Sequence, residues 1–158
     1  MKKYILAGLS VSAILFSCQT QQKPEVSKQE IKFGYQVYKK TCSACHWESV
    51  TPQQIEKIKK TVMAGGRPPF GAPPMAEVSA RVKKFYPSEK EFVAFVKDYI
   101  TNPSKDKGVC LPMAFKVFGT MPPIGKGLSE EEKEAVAKWL YYRFNISWEE
   151  FMKREHHK

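Results

Sequence analysis

The chain has 158 residues, of which 42% are hydrophobic and 13% aromatic, and its formal net charge is +10. This length suits one ordinary domain and excludes two large ones, while the apolar content excludes a disordered chain. The positive charge predicts encounters with acidic partners or anionic surfaces and says nothing about the fold.

Residues 1–17 have the features of an export signal, because two lysines precede an apolar run over residues 4–16. A transmembrane helix needs roughly 20 apolar residues, so this shorter run is typical of a secretory signal peptide. The run ends in Leu15-Phe16-Ser17-Cys18, which resembles the lipobox of bacterial lipoproteins. Cys18 is therefore the predicted lipidation site, and loss of the two lysines would lower the net charge by two.

The alternative for this region is a plain secreted protein cleaved nearby, although no A-x-A cleavage site is present. Residues 18–29 are rich in Gln, Lys, Ser and Thr, which predicts a solvated tether between lipid and domain. Gln19 follows the cysteine where aspartate is the usual inner-membrane retention signal, and this favours the outer membrane. We expect an exported, periplasm-facing lipoprotein of the bacterial cell envelope.

Four capping boxes mark the predicted helix starts. They are Ser27 with Glu30, Thr51 with Gln54, Ser88 with Glu91, and Ser129 with Glu132. Each precedes apolar residues at helical spacing, and no run alternates as a strand would. Residues 67–74 and 102–127 are rich in Pro and Gly, which predicts irregular loops. The pattern predicts an all-α domain over residues 30–145, with residues 146–158 as a basic C-terminal extension.

The motif Cys42-Ser43-Ala44-Cys45-His46 predicts the chemistry. Cysteines three apart lie on one helical turn, so both sulfurs can reach the vinyl groups of one porphyrin, and the adjacent histidine can bind the iron. This pattern is typical of c-type haem attachment. A thioredoxin-like pair would need a βαβ context, and a zinc site would need two further ligands, for which only Cys110, His156 and His157 remain.

Residues 30–145 resemble a class I cytochrome c. Gly34, Tyr38 and Cys42 lie four apart, like the family's helix glycine, aromatic residue and first haem cysteine, and Val136 and Trp139 are similar to residues at the crossing of the terminal helices. The resemblance implies that these helices cross around one covalently bound haem.

The segment Ala72-Pro73-Pro74-Met75 resembles the family's loop on the histidine side of the haem. The resemblance implies that the Pro73 carbonyl accepts a hydrogen bond from His46 and that Met75 is a core residue. The stretch from residue 47 to 71 is longer than in small members of the family.

Met121, followed by two prolines, is the predicted second iron ligand because the family shows methionine–proline at this place. Met75, Met113, Cys110 and an open position remain as alternatives. Arg67 is a candidate contact of a haem propionate, with a solvated loop arginine as the alternative. Cys110 is the cysteine left over, and a buried inert thiol is preferred over a reactive or intermolecular one.

A His/Met iron has no open position, so we expect an electron carrier and no enzyme. The alternatives are a haem subunit of a larger complex, or a catalytic or sensor haem protein with a labile sixth ligand or Cys110 as ligand. The expected partners are donor and acceptor proteins with acidic docking surfaces, and the membrane through the lipid anchor. We expect no nucleic-acid partner.

Overall fold

The computed structural model describes residues 26–156, so the predicted signal peptide and Cys18 lie outside the described residues. Its helices are α1 (Lys28–Val37), α2 (Pro52–Met63), α3 (Met75–Phe85), α4 (Glu89–Thr101), α5 (Pro112–Phe118), α6 (Glu130–Arg143) and α7 (Trp148–His156). A π-helical turn, Tyr38–Cys42, extends α1, and a 3₁₀ turn, Ile124–Gly127, precedes α6. Residues 26–156 contain no strand, which confirms the predicted all-α fold.

All four predicted caps begin a helix. The reciprocal bonds of a capping box are complete at Ser27, Thr51 and Ser129. Ser88 accepts a bond from the Glu91 amide, and its hydroxyl donates to the Glu91 carboxylate at 2.6 Å. Each such cap contributes about 1 kcal/mol by satisfying a backbone amide that the helix leaves unpaired. The sequence therefore predicted these starts from local chemistry alone.

The crossing of α1 over α6 forms the framework of the domain. A Cβ atom at Gly34 would overlap the carbonyl of Ala135 and lie 2.6 Å from Cβ of Trp139. The two helices are thus as close as their backbones permit, and the Tyr38 ring stacks on Trp139 with centroids 4.5 Å apart. This is the crossing of N- and C-terminal helices that the resemblance implied.

Two parts of the chain differ from the sequence-based expectation. The predicted loop over residues 102–127 is wrong at two places, because α5 and the 3₁₀ turn before α6 lie within it. The sequence carries no signal for α5, since this helix has no side-chain cap and is flanked by prolines and glycines that are typical of loops. The predicted extension contains α7, which begins after a further Ser147–Glu150 box and packs on α3. Ile146 and Trp148 are both buried in the core. Arg81 covers Trp148, with the guanidinium 4.7 Å from the ring centroid.

Between residues 26 and 156, no helix is both long and apolar enough to cross a membrane.

We predict that Gly34→Ala destabilises the holoprotein by roughly 3 kcal/mol, since the added methyl group meets backbone that cannot move aside. This loss exceeds the gain of about 1 kcal/mol that alanine brings to a helix interior. Urea unfolding of the holoprotein measures the change.

Gly127→Ala is the control, because nothing lies within 4 Å of a Cβ atom at that position. Its stability should stay within about 0.5 kcal/mol of the unmodified protein. Equal midpoints for the two variants would contradict the proposed close approach of α1 and α6.

Candidate haem site

The end of α1 positions the cysteine motif. The amides of Cys45 and His46 donate to the carbonyl of Cys42 at 3.1 and 2.9 Å, so the motif forms one compact turn. The Tyr38 hydroxyl donates to the His46 carbonyl at 2.9 Å and ties this turn to the helix crossing. Cys42 is buried and Cys45 is exposed, so the motif extends from the core to the surface.

A short ladder holds the loop around Pro73 against the motif. The amides of Gly71 and Ala72 donate to the Cys45 carbonyl, each at 3.1 Å, and the Met75 amide donates to the Trp47 carbonyl at 2.8 Å. A Cβ atom at Gly71 would lie 3.4 Å from the cysteine sulfur, which is van der Waals contact. The loop therefore follows the backbone of the motif closely.

The orientation of His46 follows from this ladder. Its Nδ1 atom lies 2.6 Å from the Pro73 carbonyl oxygen. A carbonyl can only accept, so Nδ1 carries the proton and Nε2 keeps a free lone pair. Burial lowers the pKa of His46, while the bond to Pro73 opposes this shift. The ring is therefore neutral at neutral pH and has the orientation and basicity of a metal ligand.

An apolar cavity lies beside the motif, with a volume of about 180 Å³. Voids in protein interiors are rarely larger than one water molecule, so a cavity of this size is a candidate binding site and not a packing defect. Helices α3, α4, α5 and α6 all contribute to its wall. The larger aliphatic and aromatic residues that these helices contribute are Val78, Val82, Phe95, Val96, Tyr99, Ile100, Phe115, Phe118, Val136, Trp139 and Leu140.

The same cavity brings together most of the predicted site residues. Cys42, Cys45, His46, Pro73 and Met121 all line it. The motif and the Met121 loop are more than 70 residues apart in sequence, and the fold brings both to this cavity.

The alternative ligands are distributed differently. Met75 and Cys110 also line the cavity, whereas Met113 is 58% exposed and lies outside the lining. Met75 follows Pro73 by two residues and is 6% exposed. Its amide donates a hydrogen bond to the Trp47 carbonyl. Its position beside the histidine loop suits the core role that the resemblance implied.

No Asp, Glu, Lys or Arg is among the described residues that line the cavity. Arg67 is exposed and lies outside that wall, so the structure does not bring it to the cavity.

Cys110 lies in the cavity wall as a thiol. Burial raises its pKa, the nearby Glu77 adds to this, and Arg81 opposes it. A protonated thiol is a poor nucleophile and a poor iron ligand at neutral pH. Arg81 also holds the adjoining backbone, because its Nε donates to the Val109 carbonyl at 2.8 Å. These surroundings favour an unreactive, partly buried thiol at Cys110.

The residues fit a haem. Two thiols and an imidazole lie on one turn, a thioether lies on the loop that closes the cavity, and the walls between them are apolar. Burial and the neighbouring Cys45 raise the pKa of Cys42 to about 11, so in the unmodified chain this sulfur is a protonated thiol available for thioether formation. Sequence reasoning missed the bond from Tyr38 to His46 and the aromatic contacts of Trp47, since no local pattern encodes either.

Comparison with known proteins agrees with this geometry. The family model described as "Cytochrome C oxidase, cbb3-type, subunit III" matches residues 29–140. A protein of Aquifex aeolicus (strain VF5), described as an uncharacterized protein, is 67% identical over 125 residues, which cover 79% of this chain and 82% of that protein. No solved structure matches the chain. The family match spans the haem motif, the cavity walls and the Met121 loop, and the chain therefore belongs to the cbb3-type cytochrome c oxidase subunit III family and is a c-type cytochrome.

Proposed function

We propose that the protein carries single electrons through one haem attached to Cys42 and Cys45, with His46 and Met121 as the iron ligands. The observation that carries this proposal is the convergence of the motif and the Met121 loop on one apolar cavity. When bound, the haem supplies an iron that changes between the ferrous and ferric states. The chain's own residues hold this group and exclude water from it.

Each part of the site has a separate task in this proposal. The Pro73 carbonyl fixes the His46 ring, since the 2.6 Å bond leaves one ring orientation and raises the basicity of Nε2. Pro122 and Pro123 stiffen the loop behind Met121, so little entropy is lost when its thioether is held in place. The apolar wall lowers the local dielectric, which makes the reduction potential depend strongly on nearby charge.

An electron carrier fits the site better than an enzyme does. With His46 and Met121 as the two iron ligands, no iron position would remain for a substrate. The described part of the wall also lacks a carboxylate or ammonium group for acid–base chemistry. The raised pKa of Cys110 disfavours a thiolate-ligated catalytic or sensor haem.

A haem subunit of a larger complex is the second candidate, because the family's description names a subunit of an oxidase. In both cases electrons pass between the cavity and a partner protein. The surplus of basic residues favours partners with acidic docking surfaces.

The proposed location is the bacterial cell envelope. The Leu15-Phe16-Ser17-Cys18 pattern supports a lipid anchor on Cys18, and Gln19 favours the outer membrane. An anchor of more than one acyl chain would hold the protein stably at a bilayer.

The replacement of both Cys42 and Cys45 by alanine should give protein without covalent haem, because each thioether needs one sulfur. Each single replacement should leave at most one link. Haem staining on denaturing gels and acid–acetone extraction measure attachment. Cys110→Ala is the control and should keep normal haem content. Extraction-resistant haem in the double variant would contradict the assignment.

Met121→Ala should remove the spectroscopic signature of methionine–iron ligation and open the iron to added imidazole. The reduction potential should fall by on the order of 0.1–0.3 V, since a thioether favours ferrous iron and axial ligands tune haem over about 0.8 V. Optical spectra and redox titration of the holoprotein measure both effects.

Met113→Ala is the matched control for Met121→Ala, because Met113 is 58% exposed and should leave the spectrum unchanged. Met75→Ala should destabilise the core by about 2–5 kcal/mol and keep the methionine signature. The assignment is wrong if Met75→Ala removes that signature while Met121→Ala keeps it.

Cys18→Ser should release the protein from membranes or block its maturation, because the hydroxyl cannot take the place of the lipidated sulfur. Membrane fractionation and mass spectrometry of the N-terminal peptide measure the effect. Cys110→Ser serves as the control and should stay membrane-bound. Soluble, unlipidated wild-type protein would exclude the anchor without affecting the electron-carrier proposal.

A further inference from the structure

Three aromatic side chains form a cluster where the cavity wall reaches the surface. The Phe70 ring lies 5.3 Å from Trp47 and 5.9 Å from Phe118, measured between ring centroids. Phe118 lines the cavity, and Trp47 directly follows the histidine that does so. All three residues are half-buried, so each is partly open to solvent. We call Trp47, Phe70 and Phe118 the mouth cluster.

The mouth cluster lies next to the exposed cysteine of the motif. Cys45 lines the cavity and is solvent-exposed, so the cavity comes to the surface at this residue. Gly71, which follows Phe70, lies against Cys45 and bonds to its carbonyl. A partner that covers the mouth cluster would therefore lie beside Cys45, where the cavity comes to the surface.

Two of the three chain segments that supply this region contain basic residues and no acidic ones, while the third carries Glu48 beside Trp47, paired with Arg143 at 2.6 Å. Residues 57–76 and residues 107–129 include no Asp or Glu. Their basic residues are all exposed: Lys57, Lys59, Lys60, Arg67, Lys107, Lys116 and Lys126. Arg67 precedes Phe70 by three residues, and Lys116 precedes Phe118 by two. Each of these two segments thus carries an exposed cation within three residues of a mouth-cluster ring.

The stretch that carries Phe70 contributes little to the core. Helix α2 makes up about half of the stretch from residue 47 to 71 and contains no buried residue, and the rest of the stretch contains none either. An ordered segment loses conformational entropy of roughly 1–2 kcal/mol per residue, and burial normally offsets this loss. The contribution of this stretch to the molecule is therefore at the surface.

We propose that the mouth cluster, flanked by Arg67 and Lys116, is the docking site of the electron-transfer partner. The partner is a redox protein whose contact surface has an apolar centre and a rim of Asp and Glu side chains. This inference rests on the proposed electron-carrier function. Protein interfaces have this anatomy, with aromatic residues and arginine enriched at the centre and charged groups at the rim. One electron leaves the partner's reduced centre and arrives at the haem site of this protein.

A bilayer surface fits the same region less well. The apolar stripe of α2, formed by Ile55, Ile58 and Val62, is already half-buried against the domain. Met63, at 88% exposed, is the large apolar side chain that α2 leaves free. An interfacial helix needs a continuous apolar face to enter the headgroup region. The half-buried stripe therefore favours a protein partner.

The test uses the full holoprotein and an acidic ferredoxin as the reducing probe, mixed anaerobically in a stopped-flow instrument over a salt series. The double variant Arg67→Glu with Lys116→Glu should be reduced about tenfold more slowly at low salt, because electrostatic steering is lost. The difference should shrink as salt screens the charges. Haem content, visible spectrum and reduction potential should stay near those of the wild type.

The matched control is Lys28→Glu with Lys90→Glu. Both lysines are exposed and lie outside the two acid-free segments, and the change in net charge is the same. This control should slow reduction less than twofold. Equal rates for the two double variants would overturn the proposal, because they would show that net charge alone sets the rate.

Phe70→Ala tests the apolar centre and should slow reduction severalfold at every salt concentration, since it removes contact area and no charge. Phe70→Leu should restore most of the rate. If Phe70→Ala fails to load haem, the charge variants still decide the question, because they leave the packing of the cluster unchanged.

Two further outcomes separate the alternatives. Loss of binding to phosphatidylglycerol vesicles by the Arg67/Lys116 variant, with an unchanged ferredoxin rate, would assign this face to the membrane and overturn the proposal. Failure of the electron-carrier function itself would be seen in the wild type, as the absence of a reversible one-electron change in redox titration.

Discussion

The close approach of α1 and α6 at Gly34 is the constraint on which the remaining structure depends. Because a hydrogen atom replaces a side chain there, the Tyr38 ring can stack on Trp139 at 4.5 Å. The stacking holds the Tyr38 hydroxyl where it donates to the His46 carbonyl. The helix crossing therefore also fixes the position of His46, the proposed iron ligand, and Trp139 is itself part of the cavity wall.

The site combines a rigid histidine side with a loop on the methionine side. The histidine side is fixed by the ladder between the motif and the Pro73 loop, in which each bond joins backbone to backbone or ring to backbone. The methionine side depends on prolines and on α5, a helix of seven residues. A set of backbone hydrogen bonds resists displacement more strongly than a proline-stiffened loop does. The histidine side is therefore the more rigid half of the site.

Helix α7 contacts the cavity lining indirectly, through Arg81. Arg81 lies between Phe85 and Trp148, with its guanidinium 4.9 and 4.7 Å from the ring centroids, and donates to the carbonyl of Val109. A single side chain thus joins α3, α7 and the segment that carries Cys110. Cation–π contacts contribute roughly 0.5–2 kcal/mol each, depending on how far they are desolvated. The C-terminal segment therefore helps to position Val109 and Cys110 through Arg81, without itself lining the cavity.

The sequence by itself determined what local chemistry encodes. The caps at Ser27, Thr51, Ser88 and Ser129 depend on residues three apart, and the haem motif is contained in five consecutive residues. The resemblance to class I cytochromes added the Gly34 crossing and the bond to Pro73, both of which span long distances in the chain.

Tertiary structure alone decided the features whose partners lie far apart in sequence with no pattern to join them. Met113 and Met121 have similar proline-rich surroundings in the sequence, and only the fold exposes one and turns the other to the cavity. Trp148 belongs to the core because Arg81 and α3 cover it, and a basic terminal sequence gives no sign of that contact. The mouth cluster joins rings from three segments for the same reason. Packing is a long-range property, and it selects among residues that are locally equivalent.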